Sequence, residues 1–82
     1  MELSKVLHDL VEPMVENKNA LNVKELSSLN ENETILVIYA QNDDVGRLIG
    51  RKGSMANALR QVMGIASRHV DKKVTIKFEA IE

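Results

Sequence analysis

Two glycines separated by two basic residues constrain the fold of this 82-residue chain more than any other feature. Gly50 and Gly53 enclose Arg51 and Lys52, and apolar residues recur at helical spacing on both sides of them. Glycine allows backbone conformations closed to other residues, and its missing β-carbon lets a ligand backbone come close. The amides that start the second helix, together with the two basic side chains, favour a bound anion. The pattern predicts a loop over 50–53 that holds an anionic ligand.

Basic residues cluster around this loop, although the formal net charge of the chain is -1. Residues 46–73 carry seven basic side chains and one acidic one, whereas residues 1–45 carry three basic and nine acidic ones. Affinity for phosphate rests on Lys and Arg, so the placement of charge matters more here than its sum. The segment around the loop is therefore the expected contact for a nucleic acid.

The spacing of apolar residues predicts an α+β fold in the order helix, strand, strand, short helix, long helix, strand. The expected ranges are 3–16, 21–26, 34–40, 44–49, 54–70 and 73–79, with a polar loop over 27–33. Pro13 lies inside the first range and lacks an N–H donor, so the helix is expected to kink or end there. Asp43 and Asp44 are interpreted as a turn and helix cap, and Ser54 as a cap of the long helix. A chain of this length without cysteine is expected to form one domain, stabilised by packing alone.

Residues 46–53, Gly-Arg-Leu-Ile-Gly-Arg-Lys-Gly, resemble the signature of KH domains, in which an Ile-Gly-x-x-Gly run joins two helices. Only nine residues follow Lys73, so the additional helix and strand precede the core, as in the type II KH arrangement. The resemblance covers nearly the whole chain and is closest to the small stand-alone bacterial KH proteins. It implies a three-stranded sheet with the helices packed on one face. It also implies an RNA chaperone or post-transcriptional regulator, linked to cell-wall biogenesis and cell shape, that pairs with a second copy or with a larger KH-domain partner.

The same resemblance implies which residues hold the ligand, because a KH loop clamps about four nucleotides through their backbone. The residues expected to contact RNA are Arg47, Ile49, Gly50, Arg51, Lys52, Gly53, Ser54 and Arg60. Bases are expected to lie on an aliphatic groove of Val45, Leu48 and Met55. Tyr39 and Phe78 are the only aromatic residues, too few for the stacking platform of an RRM or OB-fold. Single-stranded RNA is therefore the expected partner.

Two other nucleotide-related interpretations fit these residues less well. A nucleotide phosphate loop needs Gly, four residues, then Gly-Lys-Ser or Gly-Lys-Thr, and counting from Gly46 places arginine at position 51. A DNA-reading helix-turn-helix is favoured by Asn57, Arg60 and Gln61 on the long helix. The flanking strands and the charges crowded at the loop weigh against it.

No catalytic, metal or membrane feature is expected from the sequence. His8 and His69 have no pattern of metal ligands around them, and no base is identifiable for a nucleophile, so neither an enzyme nor a cofactor is predicted. No apolar run approaches the roughly 18 residues of a membrane span, and the first residues do not resemble a signal peptide. A soluble, cytoplasmic protein is the expectation.

The strand at 34–40 is apolar at nearly every position, although helices would cover only one face of its sheet. Leu36 and Ile38 alternate with Ile35, Val37 and Tyr39, so one set has no evident cover. Either that set is an interface or the first helix wraps over it. The alternative function is accordingly a protein-interaction module, for dimerisation or as an adaptor, whose affinity for nucleic acid is incidental.

Overall fold

The computed structural model of the protein describes residues 2–27 and 30–81. Three helices and three strands follow one another in the predicted order, and the predicted α+β fold is confirmed. The helices are α1 (Leu3–Val11), α2 (Asn42–Ile49) and α3 (Ser54–Arg68), and the strands are β1 (Asn22–Ser27), β2 (Glu33–Ala40) and β3 (Lys73–Ala80). Residues 28 and 29 of the polar loop expected over 27–33 lie outside the described residues.

The first helix ends earlier than its apolar periodicity suggested. α1 stops at Val11, and a 3-10 turn over Glu12–Met14 replaces the last turn that was expected up to residue 16. Pro13 lies within this turn and has no N–H to donate, so the α-helical pattern of hydrogen bonds cannot continue through it. Val15 nevertheless remains buried, because the turn directs it into the core. Apolar periodicity therefore marked the buried face correctly but not the end of the helix.

The sheet is mixed and has the order β1-β2-β3. β1 runs antiparallel to β2, whereas β2 and β3 are parallel and are joined through α2 and α3. All three helices contribute to one core against the inner face of the sheet. Its fully buried side chains include Leu7, Val11, Leu36, Ile38, Leu48 and Met63. The helices therefore cover one face of the central strand, and its other face is open.

The structure excludes one of the two possibilities for the apolar strand, namely that the first helix covers its second set of apolar residues. Leu36 and Ile38 lie in the core with α1, so α1 does not wrap over the other set of residues. Ile35 and Tyr39 are half-buried on the outer face, where Lys24 Nζ lies 5.5 Å from the centre of the Tyr39 ring. Val37 is only 4% exposed, and the register places it between Lys24 and Lys77 of the neighbouring strands, whose long side chains can cover apolar surface. The lysines therefore limit the apolar area that this face offers to a partner.

The long helix ends at Arg68, two residues before the expected end. Asp71 adopts a left-handed conformation with φ 53°, and the N–H of Lys72 donates to the carbonyl of Ser67 at 3.2 Å. This is the six-to-one hydrogen bond of a Schellman helix end, in which glycine usually takes the left-handed position. The absence of that glycine signal explains why the helix was expected to continue.

Candidate nucleic-acid interface

The Gly-x-x-Gly loop connects α2 to α3 with two left-handed glycines. Gly50 has φ 77° and ψ 175°, and Gly53 has φ 77° and ψ 13°. Between them the chain forms a single 3-10 turn over Arg51–Gly53, closed by a hydrogen bond from Gly53 N to Gly50 O at 3.2 Å. The loop is therefore a tight, defined turn that exposes the Arg51 and Lys52 side chains.

Gly50 is required for a steric reason as well as a conformational one. Its φ and ψ lie in a region essentially restricted to glycine. A β-carbon at Gly50 would lie 2.7 Å from Met55 Cβ and 2.8 Å from Met55 N. At Gly53, by contrast, a β-carbon would meet no atom within 4 Å. The first glycine lets α3 start directly against the loop, and the second leaves open space in front of it.

Lys52 is strained, because it adopts φ 56° although it carries a side chain. A left-handed conformation at a non-glycine residue is uncommon and is found most often in turns and at functional sites. The conformation places the backbone of Lys52 and both glycines on one short arc, with two cationic side chains attached. The open space in front of Gly53 allows a polyanion to approach the charged part of this arc closely.

The N-terminus of α3 supports the same chemistry. Gly53 is its N-cap residue, and no side chain donates or accepts a capping hydrogen bond there. Ser54 is the first helical residue, so the expectation that it caps the helix is wrong. The backbone N–H groups of the first turn therefore point outward at the positive end of a 15-residue helix. Together with Arg51 and Lys52 they form an electropositive surface suited to phosphate.

The other predicted contact residues lie on the two helices that flank the loop. Ile49 is 36% exposed, and Arg60 is exposed one to two turns into α3, where its Nη1 donates to Asn57 Oδ1 at 3.1 Å. Arg47 is also exposed, but its guanidinium pairs with Asp44 at 2.6 Å and with Glu16 at 3.0 Å. Two carboxylates therefore compete with any phosphate for Arg47.

The predicted groove is only partly at the surface. Val45 and Met55 are half-buried beside the loop, whereas Leu48 is completely buried and lies in the core. The prediction that Leu48 lines the groove is therefore corrected, because Leu48 is a core residue that supports the predicted groove from beneath. It faces inward because α2 must bury one side to pack against α3 and the sheet. Ile49, the next residue, provides the exposed aliphatic surface instead.

Asp44 has a structural role that was not foreseen from the sequence. Its carboxylate is 1% exposed and accepts hydrogen bonds from the backbone N–H groups of Glu16 and Asn17, each at 3.0 Å. Asp44 does not cap α2, whose N-cap residue is Gln41, but fastens α2 to the turn that follows Pro13. These two N–H donors, followed by Arg47, hold the pKa of the Asp44 carboxyl below its ordinary value. Nothing in the sequence distinguished Asp44 from its exposed neighbour Asp43.

We expect Asp44→Asn to lower Tm by about 10 °C at neutral pH. An amide has one acceptor oxygen, and its NH2 group would face a backbone N–H in place of the second oxygen. Thermal melting by circular dichroism measures the effect, and Asp43→Asn is the matched control because Asp43 is exposed in the first turn of α2. Equal melting temperatures for the two variants would contradict the role of Asp44.

The lowered pKa fixes the sign of the pH dependence. Asp44 stabilises the fold fully above its unfolded pKa, for which 3.8 is the ordinary value, and this contribution is lost as pH falls through its folded pKa. The difference in Tm between the wild-type protein and Asp44→Asn is therefore expected to shrink as pH falls below about 4. A difference that grows in acid would show that the folded pKa is raised instead.

The described residues meet neither the requirements of a metal site nor those of a membrane-spanning helix. Within 2–27 and 30–81, His, Asp and Glu side chains form no group of three or more that could hold a metal ion. In the same ranges no helix is long and apolar enough to cross a membrane.

A strand, a short helix, a basic Gly-x-x-Gly turn, a long helix and a parallel strand together define a KH domain, here preceded by the helix and strand of the type II arrangement. Residues 4–78 match the family described as KhpA/KhpB, KH domain, and the chain belongs to that family. No solved structure gave a significant match to the chain.

Three relatives share most of their length with this chain, and each is named RNA-binding protein KhpA. The protein of Aquifex aeolicus is 32% identical over 77 residues, which cover 87% of this chain and 92% of the relative. The protein of Clostridium perfringens is 27% identical over 75 residues, covering 92% and 97% of the two chains. The protein of Borreliella burgdorferi is 25% identical over 73 residues, covering 89% and 87%.

Proposed function

We propose that this chain binds single-stranded RNA, without catalysis, through the loop at Gly50 to Gly53. The observation that carries this proposal is the turn itself, whose two left-handed glycines present Arg51, Lys52 and the uncapped start of α3 on one open surface. An exposed loop of this kind can grip the sugar-phosphate backbone closely. The names of the three relatives support the same ligand.

The predicted contacts divide into a clamp and a floor. Gly50, Arg51, Lys52, Gly53 and Ser54 form the clamp on the backbone. Val45, Ile49 and Met55 form an aliphatic floor against which bases pack, with Arg47 and Arg60 at its sides. Aliphatic packing discriminates bases weakly, so specificity is modest.

A single clamp on a domain with a net charge of -1 binds RNA weakly, so we propose that it acts as one of two linked KH units. The second unit is another copy of this chain or a larger, KhpB-like protein, in keeping with the family's description. α3 offers a surface for such a contact, since Ala58, Val62 and Ile65 are exposed along one side of it and Ile65 is 62% exposed. An RNA chaperone or regulatory role in the cytoplasm, connected with cell-wall biogenesis and cell shape, is the biological setting proposed.

Those exposed residues also favour a second candidate function, a protein-interaction module in which RNA affinity is incidental. One experiment separates the two functions: sedimentation velocity of the protein with a fluorescent, unstructured RNA of about 12 nucleotides, followed at several salt concentrations. RNA binding predicts that the label moves with the protein and that affinity falls as salt rises. A protein that self-associates at micromolar concentration while the label remains free would support the interaction module.

A further inference from the structure

α3 carries a polar stripe that begins beside the loop and leads away from it. Its members recur at three- and four-residue steps and share one side of the helix. They are Asn57, Arg60, Gln61, Gly64 and Arg68. Every one of them except Gly64 is exposed, and Gly64 has no side chain to obstruct a ligand. The apolar residues Ala58, Val62 and Ile65 lie on the adjoining side of α3, where Ile65 is one helical turn from Gln61 and from Arg68.

The stripe ends in an open hollow of about 440 Å³ at the C-terminal end of α3. The residues that line it are Gly64, Ser67, Arg68, Asp71, Lys72 and Lys73. Three of these side chains are cationic and one is acidic. These cationic side chains are not part of the proposed clamp at Gly50 to Gly53.

The shape of the hollow follows from the way in which the helix ends. Ser67 is buried and its hydroxyl donates to the carbonyl of Gly64 at 2.9 Å, so the floor projects no side chain. The left-handed Asp71 turns the chain back toward the sheet and brings Lys72 and Lys73 to the rim. Lys72 Nζ is 4.0 Å from Glu25, which neutralises it in part, whereas Arg68 and Lys73 line the hollow together with the single acidic residue Asp71.

The distance between the loop and the hollow corresponds to an RNA longer than the four nucleotides that the loop clamps. The 15 residues of α3 span about 22 Å at 1.5 Å per residue. A stacked single strand advancing about 3.4 Å per nucleotide covers this distance in about six nucleotides. Four clamped nucleotides and six more give a site of about ten, of which the loop alone contacts fewer than half.

We propose that the hollow at the end of α3 is a second phosphate site, so that bound RNA leaves the Gly50 to Gly53 loop and runs along the polar stripe to Arg68 and Lys73. This inference rests on the proposed RNA binding and extends it from the clamp to the length of strand that the domain holds. The smooth floor admits the backbone, and the cations at the rim neutralise its phosphates.

The test measures binding of two unstructured RNAs, of about 5 and about 12 nucleotides, to the wild-type protein and to the Arg68→Gln, Lys73→Gln double variant, first at low salt and then at increasing salt concentrations. Affinity for the longer RNA is expected to fall about fivefold at low salt, and the slope of log affinity against log salt is expected to become shallower by about 1.4, because two phosphate contacts are lost. Affinity for the shorter RNA is expected to stay within about twofold, since five nucleotides occupy only the clamp.

Lys5→Gln with Lys77→Gln is the matched control, because it removes the same charge from α1 and from the outer face of the sheet. An equal loss for both RNA lengths, or no loss for the longer one, would overturn the second site. Lys72→Gln with Lys73→Gln provides a second variant if the first does not fold, and its loss is likewise expected for the longer RNA only. Failure of the wild-type protein to bind either RNA would refute the proposed function itself, which is a different outcome.

Discussion

Replacing Arg51 and Lys52 together by aspartate is expected to weaken binding of single-stranded RNA at least about tenfold, while Tm stays nearly unchanged. Both side chains are exposed and make no hydrogen bond or ion pair within the described part of the chain. Lys52 has φ 56°, a conformation that aspartate adopts more readily than lysine, so the loop can retain its shape. The change therefore acts on the ligand, whose phosphates would face two carboxylates.

Fluorescence anisotropy of a labelled RNA at fixed salt measures this affinity, and circular dichroism reports on folding. The control is Lys5→Glu with Lys77→Glu, which changes the net charge of the protein by the same amount at sites away from the loop. If the loop acts only through the overall charge, both variants lose affinity equally. Unaltered affinity in the loop variant would remove Arg51 and Lys52 from the site.

Gly50→Ala is expected to lower the free energy of unfolding by about 3 kcal/mol, enough to reduce Tm by more than about 10 °C. The new β-carbon would require a conformation that alanine rarely adopts and would clash with Met55 Cβ and N. Backbone atoms cannot move aside cheaply, so α3 has to shift relative to α2. Affinity for RNA is expected to fall together with stability, because the start of α3 is part of the clamp.

Two alanine controls make this result specific. Gly53→Ala has open space and bears only the cost of a left-handed alanine, about 1 kcal/mol. Gly46→Ala lies within α2, also in open space, and is expected to stabilise the helix by a few tenths of a kcal/mol to about 1 kcal/mol. Chemical denaturation of the three variants measures their free energies of unfolding and so gives their order of stability. A Gly50→Ala protein as stable as Gly46→Ala would contradict the close approach of Met55.

The parts of this fold that the sequence predicted are those with a strong local cause. The β-branched run of β2 and the apolar spacing of α3 identify a strand and a helix without tertiary information. The two glycines mark the turn between helices because few other residues adopt such conformations. The three-stranded sheet with helices on one face came instead from the resemblance to KH domains, and the order and mixed directions of its strands were not predicted.

What the sequence did not show depends on contacts between distant residues. Asp44 meets the N–H groups of Glu16 and Asn17 across 28 and 27 positions, and no local pattern indicates such a pairing. Leu48 and Ile49 are adjacent aliphatic residues, and only the angle at which α2 packs decides that Leu48 is buried. The same dependence explains Arg47, an exposed basic residue whose charge is shared with two acidic side chains.

Photo-cross-linking of the wild-type protein to an unstructured RNA of about five nucleotides, with the attached peptides mapped by mass spectrometry, tests the central claim most directly. An RNA of this length occupies the clamp alone, so the expected adducts lie within residues 45–60. Adducts confined to the outer face of the sheet, or none at micromolar protein, would contradict RNA binding at the Gly50 to Gly53 loop.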